Sequence, residues 1–247
     1  MGKFLVLYGD AIDGITPAAS GTDAGYAVAD AVDGIVGSQH QYTGTSLTIT
    51  WDAGNGNTID AAGGSVHNHN IPAGSNVKYE WSTDNFSTTS ASDPVTVNLG
   101  YDSHKIFSAA RSYRYARLFV SVAASQAINV GEACLWTSSY APTTFDLIDG
   151  YTIKRQINAV TALNWGQNFR SKVSRNRIYQ FELIGIDGSA IDELGTISEE
   201  EAVCFVPDSV FVACYHGMMQ GDGLEYQVFN WGHKLSMEFR ENARRVT

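Results

Sequence analysis

Two histidines one residue apart, His67 and His69, are the residues in this sequence that most resemble metal ligands. Residues i and i+2 of a β-strand point to the same face, so both imidazoles could reach one ion. A transition metal needs a third and a fourth ligand, and no spacing ties His40, His104 or a carboxylate to the pair. The Asn-Ile-Pro step at 70–72 is typical of a turn. We therefore interpret the pair as the end of a strand and predict no metal there.

A second candidate for ion binding is the glycine- and asparagine-rich segment 52–60, DAGNGNTID. It resembles a calcium loop, but Gly56 is its fifth residue, where an EF-hand carries a ligand. Calcium binding is one hypothesis for this segment, and a β-turn is the alternative. The oxygen donors that the calcium hypothesis uses are Asp52, Asn55, Asn57 and Asp60.

The motifs that mark common enzyme classes are missing. The sequence contains no G-x-S-x-G elbow, P-loop, dinucleotide fingerprint or HExxH helix, so we expect no catalytic residue, no cofactor and no enzymatic activity. Three cysteines, Cys134, Cys204 and Cys214, lack CxxC spacing. Cys204 and Cys214 could form a disulfide if they lie on neighbouring strands, but we favour buried thiols in a reducing cytosol.

Composition limits the partners of the chain. Its 247 residues carry a net charge of −10, with 17% charged residues, so it has neither the basic surface that nucleic acids select nor the basic patch that anionic membranes attract. No apolar run approaches the roughly 20 residues that span a bilayer. The apolar run at residues 4–8 is too short for a signal peptide, so we expect the chain to fold in the cytoplasm where it is made.

Period-2 alternation of apolar and polar residues dominates the first 145 residues and predicts a β-sandwich or jelly roll. The predicted strands are 46–51, 76–82, 94–99, 115–122 and 127–136, the last broken or bulged at Gly131. Alternation places Trp51, Tyr79, Trp81 and Trp136 in the core.

The polar segment 138–150 predicts a boundary between domain 1–145 and domain 146–247. The second domain shows further strands and a helical insertion near 189–203, where Ser198 and Glu201 have the spacing of a capping box. The predicted fold class is therefore mainly β: a jelly-roll β-sandwich followed by a second β domain with one short helix.

The second half also contains candidates for contacts between copies of the chain. A basic run could meet an acidic patch of a neighbouring copy, with a solvated strand face as the alternative. Two tryptophans beside glycines are further candidates. These residues are Arg170, Lys172, Arg175 and Arg177, then Glu199, Glu200 and Glu201, and finally Trp165 and Trp231.

The order of several short motifs over residues 20–137 resembles the discoidin-like, galactose-binding-like jelly roll. The motifs are Ala31-Val32-Asp33-Gly34, His69-Asn70, Tyr79 to Asp84, Arg114-Tyr115-Ala116-Arg117-Leu118 and Gly131-Glu132. Lectin-like members hold ligands in loops at one end of the jelly roll. This sequence shows no clear cluster of aromatic residues and arginine in such loops.

The segments RSKVSRNRIYQFELIGIDGSAIDELG, CFVPDSVFVACYHGMM and LSMEFRE of the second half resemble tail-tip proteins of tailed bacteriophages. This resemblance implies a virion component of the distal-tail or baseplate type, with a discoidin-like jelly roll followed by a tail-tube-like β domain. It also implies assembly in the host cytoplasm as a ring such as a hexamer. The partners it implies are copies of the chain and other tail proteins, namely tube, hub or tape measure. A carbohydrate-binding module for a host glycan is the alternative.

Overall fold

The computed structural model describes most of the chain. The described residues are 5–35, 37–97, 102–141, 147–164, 167–186, 188–199, 202–206, 214–220, 226–229, 232–241 and 244–245. The chain divides into two compact units, one made of Gly2–Ala141 with Cys204–Tyr215, the other of Pro142–Val203 with His216–Thr247. The first unit ends near the predicted boundary. Residues 204–215, predicted in the C-terminal domain, instead belong to the first unit.

Two antiparallel sheets form the first unit. One has the order β2-β3-β8-β5-β6, and the other contains β12-β1-β9-β4-β7. The strands of the first are β2 (Ala18–Ala19), β3 (His40–Asp52), β5 (Asn76–Ser82), β6 (Ala91–Val95) and β8 (Tyr115–Val130). Those of the second are β1 (Leu5–Asp10), β4 (Ile59–His67), β7 (Asp102–Tyr113), β9 (Glu132–Tyr140) and β12 (Val203–Val206). A short 3-10 helix spans Val28–Ala31. The jelly-roll β-sandwich predicted from the sequence is confirmed.

The core residues predicted from alternation along β3 and β5 are confirmed. Leu47, Ile49 and Trp51 are fully buried in one cluster, together with Tyr79 and Trp81. The Tyr79 ring crosses the sandwich, and its hydroxyl lies 2.8 Å from the Ser65 carbonyl oxygen, to which it donates. A Cβ on Gly64 would lie 2.5 Å from that ring, so glycine is required for this close approach. This contact joins the two sheets.

The structure decides between the two expectations for Gly131 in the segment 127–136. The predicted break is confirmed and the predicted bulge is wrong, because Gly131 separates β8 from β9, which belong to different sheets. Leu135 faces the sandwich core, so the neighbouring Trp136 points to the opposite face of its sheet. Trp136 is buried there and donates from Nε1 to Ser65 Oγ at 2.8 Å. It is therefore buried, as predicted, but outside the core between the sheets.

The second unit contains antiparallel strands in the order β10-β11-β15-β13, in which β14 pairs with β15 and β16 with β11. Its strands are β10 (Leu147–Asn164), β11 (Gln167–Ile186), β13 (Tyr215–Gln220), β14 (Tyr226–Phe229), β15 (Gly232–Glu241) and β16 (Arg244–Arg245). The described residues include one α-helix, α1 (Gly188–Glu199), in the predicted region. Ser198 lies in its last turn, so the predicted capping box is wrong. Its hydroxyl donates to the Gly195 carbonyl at 2.7 Å.

Helix α1 buries one side. Ile191, Leu194 and Ile197 follow at intervals of three residues and are 9%, 0% and 0% exposed, which is the stripe expected of a helix packed on a sheet. No helix in the described ranges combines the length and apolar character needed to cross a membrane.

Candidate functional site

His67 and His69 are buried, and each is hydrogen-bonded to a serine. His67 ends β4, and its Nε2 lies 2.8 Å from Ser65 Oγ. His69 follows the strand, and its Nε2 lies 3.0 Å from Ser103 Oγ. Within the part of the chain that the structure describes, no three His, Cys, Asp or Glu side chains are arranged to hold a metal ion. The geometry agrees with the end-of-strand interpretation.

The four calcium candidates lie in and beside the β3–β4 loop, where each described contact is local or made to an arginine. The Asp52 carboxylate accepts two hydrogen bonds from Arg114, at 2.8 and 3.0 Å. Asn57 donates its amide to a backbone carbonyl, Asp60 accepts from Thr58 Oγ1 at 3.1 Å, and Asn55 is exposed. Calcium binding by this loop stays a prediction.

The candidate contacts between copies lie in the second unit. Arg170, Lys172, Arg175 and Arg177 are residues of β11, and Glu199 is the exposed last residue of α1. Trp165, Trp231, Glu200 and Glu201 lie outside the described residues. The assignment of these residues to an interface stays a prediction.

A site that the sequence analysis did not identify lies where three connections of the jelly roll meet. Asp52 at the end of β3 and Ser82 at the end of β5 both pair with Tyr115 at the start of β8. This register brings together the β3–β4 loop, the β5–β6 loop and the turn at Arg114. The expectation that such loops carry no aromatic and arginine cluster is therefore wrong.

The cluster alternates rings and guanidinium groups. The Arg114 guanidinium carbon lies 4.7 Å from the centre of the Tyr115 ring, and that of Arg117 lies 4.1 Å from the centre of the Phe86 ring. The two rings meet edge to face at 6.4 Å. We call these four residues, with Asp52, the ring–guanidinium cluster. All five are at least partly exposed to solvent.

Ion pairs fix both arginines. The side chains of Arg114 and Asp52 are 34% and 43% exposed, and their hydrogen bonds lower the pKa of Asp52 and raise that of Arg114. Arg117 pairs with Glu80 at 2.6 Å, and Lys78 reaches the same carboxylate at 2.6 Å. Burial alone would raise the pKa of Glu80, but the hydrogen bonds from Lys78 and Arg117 lower it. The guanidinium groups are therefore charged and held against the rings at neutral pH.

The β5–β6 loop positions Phe86 at the expense of backbone strain. Asn85 and Phe86 have φ values of 56° and 62°, a left-handed conformation that bulky residues rarely adopt. The Ser82 hydroxyl oxygen accepts from the Phe86 amide at 3.0 Å, and the Asp84 carboxylate accepts from the Thr88 amide at 2.9 Å. Strained backbone of this kind is concentrated at functional sites.

A signal for part of this cluster is present in the sequence. Ala116 and Leu118 face the core, so alternation places Tyr115 and Arg117 together on the outer face of β8. Phe86 and Asp52 come from other loops, and no local pattern brings them to this position.

An acidic cavity of about 320 Å³ lies beside β1 and β9, with Asp10, Asp13 and Glu132 in its lining. Burial and the neighbouring Asp33 carboxylate raise the pKa of Glu132 to about 8. Burial also raises the pKa of Asp10. Among the described residues, Glu132 Oε2 has no hydrogen-bond partner. Burial in this cavity therefore favours the protonated form of Glu132.

Comparison with known proteins places the fold and nothing more specific. No protein-family model and no curated protein matches the sequence. Solved structures that match include the lectin domain of lectinolysin complexed with Lewis B antigen, which is 18% identical, covers 53% of this chain and 97% of that chain, and has a TM-score of 0.45.

A fucose-binding module from Streptococcus pneumoniae matches with 14% identity, 53% and 96% coverage and a TM-score of 0.44. A chitosan-binding module derived from a chitosanase/glucanase of Paenibacillus sp. IK-5 matches with 18% identity, 52% and 98% coverage and a TM-score of 0.43. Each match spans about half of this chain and nearly all of the other protein. The similarity concerns the β-sandwich fold.

Proposed function

We propose that the jelly-roll unit binds carbohydrate through the ring–guanidinium cluster. The observation that carries this proposal is the contact of two partly exposed rings, Phe86 and Tyr115, with two arginines at the loop end of the sandwich. Carbohydrate binding was the alternative in the sequence analysis, and this cluster makes it the leading function. The ligand class is the one named for the three modules compared above.

The chemistry of a sugar matches such a cluster. A pyranose has an apolar face of C–H groups, which packs on an aromatic ring, and a rim of hydroxyl groups, which need donors and acceptors. Here the rings supply the apolar contact. The Arg114 guanidinium supplies donors, and the Asp52 carboxylate, which is 43% exposed, supplies acceptor lone pairs.

The cluster is also preorganised. Arg114 and Arg117 are already fixed by carboxylates, and the turn that carries Phe86 is held by Ser82 and Asp84. Less conformational entropy is then lost when a ligand binds. A preformed surface site of this kind suits reversible binding of a ligand better than catalysis. Catalysis needs an acid or base placed within hydrogen-bonding reach of the reacting atom.

A glycan array probed with the full chain tests the proposal. We expect wild-type protein to bind a restricted set of glycans, and Phe86→Ala, Tyr115→Ala and Arg114→Ala each to weaken that binding by about tenfold or more. Tyr26→Ala is the matched control, because Tyr26 is a surface tyrosine, 38% exposed, hydrogen-bonded through its carbonyl to His40 at the other end of β3. Variants that bind as well as wild type, or a wild-type protein that binds no glycan, would exclude the site.

The second candidate function is a non-enzymatic structural component of a bacteriophage tail that self-assembles into a ring. Besides the sequence resemblance, one observation favours it: β10, of 18 residues, is the edge strand of its sheet, and its register with described strands is with β11 alone. A long edge offers unpaired backbone groups to another chain. A ring of copies satisfies them, and the two functions are compatible in one chain.

The mass of the chain in solution tests this second candidate. We expect an oligomer, and we expect the double variant Arg175→Glu with Arg177→Glu to weaken assembly while the fold is retained, because charge reversal removes the attraction for an acidic surface. Lys105→Glu, a single charge reversal in the first unit, is the control. A monomeric wild type across micromolar concentrations, or an unchanged oligomer mass in the double variant, would contradict the interface.

A further inference from the structure

Two cysteines and a histidine meet inside the first unit, at a place that the proposed function does not use. Cys204 lies in β12, and Cys214 directly precedes β13. Their exposed fractions are 0% and 1%. The thiols are in contact, with Cys214 hydrogen-bonded to the Cys204 sulfur. Two thiols in contact, ten positions apart in the sequence, satisfy the first requirement for a disulfide.

The imidazole of His67 is hydrogen-bonded to the same Cys204 sulfur. Its Nδ1 lies 3.6 Å from Asp102 Oδ1, and its Nε2 lies 2.8 Å from Ser65 Oγ. That hydroxyl oxygen also accepts from Trp136 at 2.8 Å. A hydrogen bond therefore fixes the ring at Nε2, and its Nδ1 edge lies beside the Asp102 carboxylate. We call Cys204, Cys214, His67 and Asp102 the thiol–imidazole cluster.

Electrostatics favour the ionised form of this cluster. Burial alone would raise the pKa of Cys204, but hydrogen bonds from Cys214 and His67 lower it well below the ordinary value of a thiol. Burial would lower the pKa of His67, but Asp102 and Cys204 raise it to about 9. Other titratable groups that interact with Cys204 are His104 on β7, Cys134 on β9 and Tyr79 on β5, and Glu132 on β9 lies beside His67.

The third cysteine provides an internal contrast. Cys134 is also buried, at 7% exposure. Burial and the nearby Glu132 and Asp10 carboxyls raise the pKa of its thiol well above the ordinary value. A thiol held in the neutral form is a poor nucleophile. The same unit therefore contains a thiol whose surroundings favour the reactive thiolate, Cys204, and a thiol whose surroundings favour the unreactive neutral form, Cys134.

We propose that Cys204 and Cys214 form a reversible disulfide when the protein meets a small peroxide, with His67 handling the protons and Asp102 positioning His67. The Cys204 thiolate attacks one oxygen of hydrogen peroxide and becomes a sulfenic acid; the departing hydroxide takes the proton of His67 and leaves as water. The Cys214 thiol then attacks the Cys204 sulfur, its proton joins the departing hydroxyl, and a second water leaves. Two thiols and one peroxide give one disulfide and two waters.

Burial sets the choice of oxidant. With both thiols at most 1% exposed, a molecule close to water in size can approach them, whereas a bulky disulfide needs the domain to open. Both cysteines belong to the first unit, so the bond would form within that unit. A thiol reductant would reverse it.

Timed oxidation of the reduced full chain tests the proposal. The folded protein is treated with hydrogen peroxide, quenched with a thiol-alkylating reagent in denaturant, and analysed as peptides by mass spectrometry. We expect a linked Cys204–Cys214 peptide two mass units lighter than the reduced pair, with Cys134 still alkylated. Cys134→Ser should react as wild type does, and Cys204→Ser should give no linked peptide.

The positioning role of Asp102 has its own readout. Asp102→Asn should slow disulfide formation by about tenfold or more and move the pH profile of the rate to higher pH, because His67 loses the carboxylate that favours its charged form and then stabilises the Cys204 thiolate less. An altered rate without an altered pH profile would show a purely structural role and overturn this part. The disulfide itself is overturned if Cys134 oxidises as fast as Cys204, or if both thiols stay reduced in the folded protein while the denatured chain is oxidised.

Discussion

The ring–guanidinium cluster and the thiol–imidazole cluster each contain a carboxylate paired with a basic side chain, but the first pair is exposed to solvent and the second is buried. In the first, the side chains of Asp52 and Arg114 are 43% and 34% exposed, so water solvates both charges. In the second, the side chains of His67 and Asp102 are 0% and 5% exposed. An exposed pair contributes little to stability and stays available to a ligand. A buried pair strongly influences the pKa values of its members and the free energy of unfolding. If one partner is removed, the remaining charge is left without a counter-ion and without hydration.

The largest expected difference between the two regions concerns pH. Glu132, beside His67, has a folded pKa of about 8, and its ordinary value is 4.5. Its contribution to stability is therefore complete below pH 4.5 and is lost as the pH rises to 8, because only the unfolded chain ionises freely. The raised pKa of His67, about 9 against 6.5, acts in the same direction, whereas the lowered pKa of the Cys204 thiol acts in the opposite direction. The contribution of Glu132 alone should fall by up to about 5 kcal/mol between pH 4.5 and 8.

Glu132→Gln tests this expectation through urea denaturation at several pH values. We expect the variant to lose the part of the slope between pH 4.5 and 8. Asp52→Asn is the control from the exposed cluster: the pKa of Asp52 is lowered from 3.8, so its effect is confined to pH below that value. A Glu132→Gln protein with the wild-type slope would show that this carboxyl is not kept protonated.

The second comparison removes one carboxylate from each cluster. Asp102→Ala leaves His67 without its buried partner and also removes the acceptor for the Asn68 amide, at 2.9 Å. We expect the free energy of unfolding to fall by about 3 kcal/mol or more. Asp52→Ala should change it much less, because both members of its ion pair are exposed to solvent. Denaturation midpoints of the two variants measure this, and equal losses would contradict the contrast between exposed and buried pairs.

The smallest expected effect concerns the strained loop of the ring–guanidinium cluster. Asn85→Gly places a residue that tolerates positive φ at a position where φ is 56°, so we expect stability to change little or to rise by a few tenths of a kcal/mol. The same substitution at Asn55, where φ is not positive, should lower stability by about 0.5 kcal/mol. Thermal unfolding of both variants decides, and a clear loss at Asn85 would show that its side chain, and not its backbone, holds the loop.

Local pattern predicted the fold better than it predicted the site. Alternation identified Leu47, Ile49 and Trp51 as core residues because one strand shows its own period. It did not reveal β7, whose sequence DSHKIFSAARSY has no clear alternation. The sequence analysis also assigned residues 204–206 of β12 to the C-terminal domain, although they belong to the first unit. The strand lies beside β1, about 200 positions away in the sequence, and local pattern does not reveal such a pairing.

Both clusters depend on such distant contacts. Asp52, Phe86 and Arg114 come from three connections that only the sheet register brings together. His67, Asp102 and Cys204 come from β4, β7 and β12. Sequence analysis noticed His67 for its neighbour His69, whereas its chemistry lies with Cys204. Spacing along the chain does not predict partners across a sheet.

The most direct test of carbohydrate binding is amide hydrogen exchange of the full chain with and without the glycan that it binds best on the array. We expect slower exchange in peptides that cover residues 52–58, 82–90 and 113–117, and unchanged exchange around residues 23–40 at the opposite end of β3. Protection confined to any other surface, or no protection at a glycan concentration that saturates the protein, would contradict the placement of the binding site at the ring–guanidinium cluster.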